Sequence, residues 1–248
     1  MIYLENNYED AITAVSELQK NGYLSVIISL YLDSYGCDYQ FQETFLQKSN
    51  DKITAIILRY NSKVYCLSDK ESDYEELLSF SERFLGCEFI SDIPSNILKD
   101  TNVGFETLYD MQRSAGSDDY SNNDLKVNDN VTHALGALRE YLNSEEYEDF
   151  LLNNSFQHRH KLLEVYAVYA DDQAVSVSGV TKTYSNQKAI TFLYTKEHFR
   201  GNKYANRLLD NIINDSKSDV HLICEEQNLN FYINNKFKLF SELSLINL

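Results

Sequence analysis

The sequence predicts an α/β (α+β) protein built in two halves, and three observations carry that expectation. Short β-favouring apolar runs alternate with segments whose apolar residues recur every three to four positions. Each half passes through helices, a hairpin, a helix and a strand in the same order. Between the halves, residues 114–130 are polar and almost devoid of apolar side chains, so they cannot bury enough surface to order themselves. The expected organisation is an N-terminal α/β domain over residues 1–115, a linker over 116–130 and a second α/β domain over 131–248.

In the first half, residues 8–35 read as two helices broken at Asn21-Gly22, with Ile12, Val15 and Leu18 on one face of the first. The run Tyr23 to Leu32 is too short to span a membrane and reads as a buried helix. Tyr35 to Gln47 is a polar, aromatic segment in which Tyr35 and Tyr39 suggest aromatic packing. A hairpin follows, Ile53 to Tyr60 and Lys63 to Leu67, turning at Asn61-Ser62. Ser72 with Glu75 has a capping-box pattern and opens a helix ending near Gly86. Cys87 to Ser91 is a strand, closed by Pro94.

The second half opens with a helix from His133 to Leu142, capped by Thr132, and another from Ser144 to Leu152. Strands Leu162–Ala170 and Gln173–Thr181 alternate clearly and join at Asp171-Asp172. Then come a strand over Ala189–Thr195, a cationic turn, and a helix from Tyr204 whose apolar face is Leu208, Leu209, Ile212 and Ile213. Val220–Glu225 is a short strand, Asn228–Asn234 a short helix and Lys238–Ile246 a last strand.

Composition fits a folded protein: 43% hydrophobic and 24% charged, with 19 Tyr and 13 Phe to fill a core. The formal net charge of −16 is uneven. Residues 1–127 hold 10 Lys and Arg against 22 Asp and Glu, and residues 128–248 hold 12 against 16. That balance argues against nucleic acid as a partner. Cys37, Cys66, Cys87 and Cys224 have no metal-site or redox spacing, so no metal is expected, and dispersed thiols suit a cytoplasmic setting. The first residues carry Glu5, Glu9 and Asp10 rather than a basic region, unlike a secretory signal, and no membrane association is expected.

Within this acidic chain, Arg200, Lys203 and Arg207 cluster where a strand feeds a helix. Free N–H groups of a helix's first turn, its dipole and nearby cations together make an anion site, and a phosphate-bearing ligand is the natural occupant. The equivalent helix of the first half starts with Asp73, Glu75 and Glu76, which would repel a phosphate.

At this point residues 130–248, roughly half the chain, resemble the GNAT superfamily of N-acetyltransferases. Arg200-Gly201-Asn202-Lys203-Tyr204-Ala205 is similar to that family's pyrophosphate loop, Q/R-x-x-G-x-G/A. The segment from Asn228 through Tyr232 to Phe237 is similar to its late N…FY…GF run, and the element order matches. Ser155 to His160 is similar to a His-Arg-rich segment of two-domain members from low-GC Gram-positive bacteria, whose N-terminal half is a worn copy of the same module. The resemblance implies a mixed central sheet flanked by helices, with the smaller N-terminal domain of related fold. It also implies acetyl-CoA as co-substrate and a small-molecule or peptidyl amine as acceptor, in a monomer or homodimer. Leu193, Tyr194 and Thr195 would pair with pantetheine, Arg200 to Ala205 would hold the pyrophosphate, and Asn228 would belong to the same site. Tyr232 would protonate the departing thiolate, and Glu226, beside Glu225, would serve as base. The sequence departs from the pattern where Lys203 and Lys236 stand in place of glycine and where Ala189–Thr195 carries no carboxylate. A non-catalytic binding or sensing protein on the same fold, with weakened or lost CoA binding, is the alternative.

Overall fold

The computed structural model describes residues 1–18, 22–37, 39–101, 103–115, 130–183 and 186–247. The expected linker therefore lies, except for Asn130, outside the described residues. The chain divides into two compact units. The first comprises Met1–Met111, Ile223–Asn230 and Leu239–Leu248, and the second Gln112–Leu222 with Phe231–Lys238.

Unit 1 contains strands β1 (Ile2–Leu4), β2 (Gln42–Ser49), β3 (Lys52–Tyr60), β4 (Lys63–Ser68), β5 (Glu88–Ser91), β6 (Phe105–Arg113, its last two residues in unit 2) and β11 (Lys238–Asn247). They run in the order β1-β2-β3-β4-β5-β11-β6. Helices α1 (Tyr8–Glu17), α2 (Tyr23–Tyr35), α3 (Tyr74–Ser81) and α4 (Ser95–Lys99) pack with this sheet. The core holds Phe45, Ala55, Ile57, Val64, Leu77, Phe89, Leu98 and, from β11, Ile246.

Helix α2 is buried from Tyr23 to Leu30 and again at Leu32, as an apolar surface on every side requires. Its N-cap is Gly22, which has no side chain to cap with. The buried Asp110 of β6 instead accepts the Tyr23 N–H at 2.8 Å. Tyr31 stacks on Tyr60 with ring centroids 4.2 Å apart, and Tyr35, Tyr39 and Phe41 extend the cluster. The polar, aromatic segment from Tyr35 to Gln47 contains most of β2, in which the adjacent Phe45 and Leu46 are both buried, one on each face of the sheet, so no alternation marks it as a strand. Strands β1 and β6 and helix α4 are further elements that the sequence reading did not include.

Unit 2 contains α5 (Val131–Leu135), α6 (Ser144–Arg159), β7 (Leu163–Ala170), β8 (Gln173–Lys182), β9 (Lys188–Thr195), α7 (Tyr204–Asn214) and most of β10 (Val220–Cys224), in the strand order β10-β9-β8-β7. Helix α8 (Glu226–Asn234) begins in unit 1 and ends in unit 2. One core cluster joins Val131, Leu135, Leu138 and Tyr147 to Leu163, Val165, Ala167 and Val177. Leu208, Leu209, Ile212 and Ile213 of α7 are buried, as their spacing predicts.

Three caps differ from expectation by one or two residues. Asp73 rather than Ser72 caps α3, Asn130 rather than Thr132 caps α5, and Asn143 rather than Ser144 caps α6 in a full capping box with Glu146. In each case an Asp or Asn side-chain oxygen accepts a first-turn amide, that of Glu76, His133 and Glu146 respectively. Helix α6 continues to Arg159 rather than ending at Leu152, so His158 lies in its last turn and His160 is its C-cap.

Two expectations follow. Gly179 of β8 faces the Phe192 ring, and a Cβ there would lie 2.1 Å from a ring carbon. Gly179→Ala should therefore lower unfolding stability by about 1–3 kcal/mol, read by urea denaturation. In unit 1, burial raises the Tyr31 phenol to about 12 and lifts Tyr23 and Tyr65 as well. The native state thus favours the neutral phenols, while the unfolded chain ionises near 10. Their contribution is intact below about pH 10 and is lost as pH rises through about 12. A melting-temperature series over that window should fall, and Tyr31→Phe should make the fall shallower.

Candidate functional site

The site is built on β9. Along one edge β9 pairs antiparallel with β8 from Lys188 opposite Lys182 to Thr195 opposite Ser176. The register shifts once: Phe192 faces Gly179 but Ile190 faces Val180, so Thr191 is the extra residue of a β-bulge. Phe192 sits over Gly179 and meets Phe150 of α6 edge-on at 5.0 Å. Along the other edge β9 pairs in parallel with β10 at two positions only, Lys188 with Val220 and Ala189 with His221. Beyond Ala189 that edge of β9 leaves its partner, and burial falls accordingly: Lys188 to Ile190 are buried, and Thr191 to Thr195 are half-exposed. Pairing with β8 holds this stretch straight and uses the Tyr194 backbone groups, while those of Leu193 and Thr195 face the edge that β10 leaves, where the Thr195 carbonyl accepts from Arg200. Tyr194 packs on Tyr141 at 5.4 Å, and burial, with the Glu140 charge second, raises its phenol pKa.

From Thr195 the chain makes a single 3₁₀ turn, Glu197–Phe199, and then the cationic loop. Arg200 Nε donates to the Thr195 carbonyl at 3.2 Å, which pins the guanidinium to the end of β9. Asn202 donates to the Phe199 carbonyl at 3.1 Å. Gly201 has φ +82° and Lys203 has φ +60°, ψ +20°, both in the left-handed region. Lys203 is the N-cap of α7 and makes no side-chain capping bond. The first-turn amides of Tyr204, Ala205 and Asn206 have no acceptor within the helix, by the geometry of any helix start. Arg200, Lys203 and Arg207 are exposed around them. The arrangement is a cradle of amides, a helix dipole and three cations, suited to a phosphate or pyrophosphate.

Lys203 and Lys236 stand where the resemblance calls for glycine, and Lys236 too has positive φ, +64°. Both therefore hold the backbone shape that glycine would adopt at least cost. The Lys203 side chain is exposed at the loop.

A tie invisible to sequence reading fixes the helices of the site. Asn206, in the first turn of α7, donates to the Asn235 side chain at 2.8 Å, and the buried Asn235 donates in turn to the Phe231 carbonyl. Arg113 reaches both the Asn235 carbonyl at 2.9 Å and Asp210 of α7 at 3.1 Å. Together these join α7 to the end of α8 that carries Tyr232. Tyr232 is half-buried against Phe231 and Phe237, with ring centroids 5.1 and 5.8 Å away.

Glu225, Glu226 and Asn228 belong to the segment of unit 1 that begins α8, and all three are exposed. The Asn228 N–H donates to the Glu225 carbonyl, and Gln227 bonds the Glu225 carboxylate, as in an ordinary helix start. His158 meets the Leu163 carbonyl at 3.0 Å and His160 packs on Phe156. Among the described residues no group of three or more His, Cys, Asp or Glu could hold a metal, and no helix is long and apolar enough to cross a membrane.

Unit 1 repeats the element order without these features. β4 pairs in parallel with β5 at four positions, Lys63–Glu88 through Cys66–Ser91, and Asp92 then accepts the Ser68 N–H at 2.8 Å. Helix α3 is capped by Asp73, with Glu75 and Glu76 in its first turn.

Among solved structures, the chain is similar to a GNAT-family acetyltransferase from Colwellia psychrerythraea, with 9% identity over 99% of both chains and a TM-score of 0.63. The fold is GNAT-like. A tandem GNAT protein of the clavulanic acid biosynthesis pathway is similar at 7% identity, covering 100% of this chain and 98% of the other, TM-score 0.60. The N-myristoyltransferase of Saccharomyces cerevisiae is similar at 10% identity, over 99% of this chain and 79% of its own, TM-score 0.57. No family model and no curated protein matches the sequence. At such identities the likeness is one of fold.

The left-handed conformation at Lys203 has a direct consequence. Lys203→Gly should be more stable than Lys203→Ala by about 1 kcal/mol, because only glycine is free of Cβ strain there. Paired urea melts of the two variants measure that difference.

Proposed function

We propose that the protein is an acyl-CoA-dependent N-acyltransferase, using acetyl-CoA and a small-molecule or peptidyl amine. The observation that carries this reading is the parting of β9 from β10 after Ala189, directly before a helix start with free amides and three cations. An extended pantetheine fits a strand edge that lacks a partner, and a pyrophosphate fits the cradle at Arg200–Ala205. The similar solved structures, which include a GNAT acetyltransferase and an N-myristoyltransferase, support the same chemistry.

In this reading the backbone of Leu193–Thr195 orients the thioester. A neutral amine attacks the carbonyl carbon, the carbon–sulfur bond breaks, and the Tyr232 hydroxyl gives its proton to the departing sulfur. Glu226 is the carboxylate assigned to take the proton released by the amine. Its exposure at the head of α8 is equally explained by the helix dipole, so water offers that proton a second route. Unit 1 would be a related module that has lost its ligand site, since β4 and β5 stay paired and Asp73 occupies the start of α3.

Saturating acetyl-CoA, at about 100 times its dissociation constant, should stabilise the fold by about 2.7 kcal/mol and raise the melting temperature by roughly 5–10 °C. With an accepted amine, Tyr232→Phe should lower kcat about 100-fold or more with little change in the KM for acetyl-CoA. No thermal shift with any acyl-CoA would remove the reading. The exposed Lys203 at the loop and the absence of a carboxylate on β9 favour a second reading, a CoA-binding protein without turnover. That reading predicts the thermal shift but no release of free thiol.

A further inference from the structure

We propose that unit 2 has a second anion site, separate from the loop at Arg200–Ala205, which takes the carboxylate or phosphate group of a small organic molecule. It is a cavity of about 540 Å³ beneath the β7–β8 turn, lined by Asn130, Thr132, His133, Arg139, Gln173 and Lys196, with small Gly136, Ala137 and Ala174 between them. That volume suits a small molecule.

Charge selects the occupant. The chain has a net charge of −16, yet among the described residues the lining contains Arg139, Lys196 and a histidine and no carboxylate. Lys196 is the decisive group. It is only 5% exposed, and its ammonium has three N–H donors. Among the described residues it has one acidic partner, Glu140 at 3.2 Å, and that carboxylate is about half exposed. A buried ammonium with a single, partly solvated partner is under-compensated, and a second anion in the cavity would complete it. Arg139 lies at the mouth, exposed, with its guanidinium 5.0 Å from the Tyr147 ring centre. Packing on that ring holds the cation in place without neutralising it. Asn130, Thr132 and Gln173 add neutral polar groups to the wall. The backbone of Lys196 is fixed as well, since its N–H donates to the Val175 carbonyl at 3.0 Å.

The proposal stands apart from acyl transfer, because the cradle at Arg200–Ala205 shares none of the cavity's lining residues. Calorimetric titration of the full chain at low salt tests it, with citrate as the carboxylate probe and glycerol 3-phosphate as the phosphate probe. At least one probe should bind. Arg139→Gln should weaken it about tenfold, Arg139→Lys should retain most of the affinity, and Arg200→Gln should leave it unchanged. Binding of only one probe supports the site and assigns its chemistry. The proposal is overturned if neither probe binds, if Arg139→Gln has no effect, or if Arg200→Gln abolishes binding, which would place the probe on the loop instead. Arg139 is exposed, so its variants are expected to fold, and their melting curves without probe verify that.

Discussion

Everything in the candidate site depends on where β9 stops pairing with β10. A parallel ladder that continued past Ala189 would also use the backbone groups of Leu193 and Thr195 that face away from β8, leaving no open edge for a ligand to bond. The bulge at Thr191 and the contact of Phe192 with Gly179 set the course of the strand beyond that point. Because the β8 edge remains paired to Thr195, the strand is rigid where it is open. That combination pre-organises an extended binding edge without exposing a floppy one. Unit 1 supplies the contrast inside the same chain. There the parallel pair continues through four positions and is sealed by Asp92 on Ser68, and the following helix start is already capped.

The second constraint is the loop that joins β9 to α7. Its cations would repel one another around an empty helix start were they not anchored, and the Arg200 bond to Thr195 provides one anchor. Lys203 keeps a left-handed backbone that most side chains avoid. Strain of this kind persists where surrounding structure fixes it, and here the ties from Asn206 to Asn235 and from Arg113 to Asp210 fix the helix from its other side. The same ties hold the end of α8, so the start of α7 and Tyr232 share one support.

Much of this was legible in the sequence because the relevant signals are local. The alternation in β7 and β8, the apolar face of α7 and the cationic turn are all patterns within a dozen residues. The buried α2 was also readable, from its largely apolar run Tyr23 to Leu32. What was not legible comes from distant partners. Asp110 caps α2 from a strand almost ninety positions away, and no local pattern announces it. Asn235, one polar residue among several at the end of α8, proves to be the hub between α7 and α8. The bulge at Thr191 is set by tertiary register, which no periodicity records. Lys196 reads as one more surface cation until the fold buries it beside a cavity. Residue type alone hides the backbone shape at Lys203 and Lys236, where the structure keeps the left-handed conformation of a glycine.

The central claim is that an acyl-CoA lies along the open edge of β9 with its pyrophosphate on the start of α7. Residue-resolved amide hydrogen exchange, with and without acetyl-CoA, tests it most directly. The account predicts added protection at Leu193–Thr195 and at Tyr204–Asn206, with no change at Tyr74–Glu76 in the corresponding helix of unit 1. Protection confined to other regions, or equal at both helix starts, would contradict it.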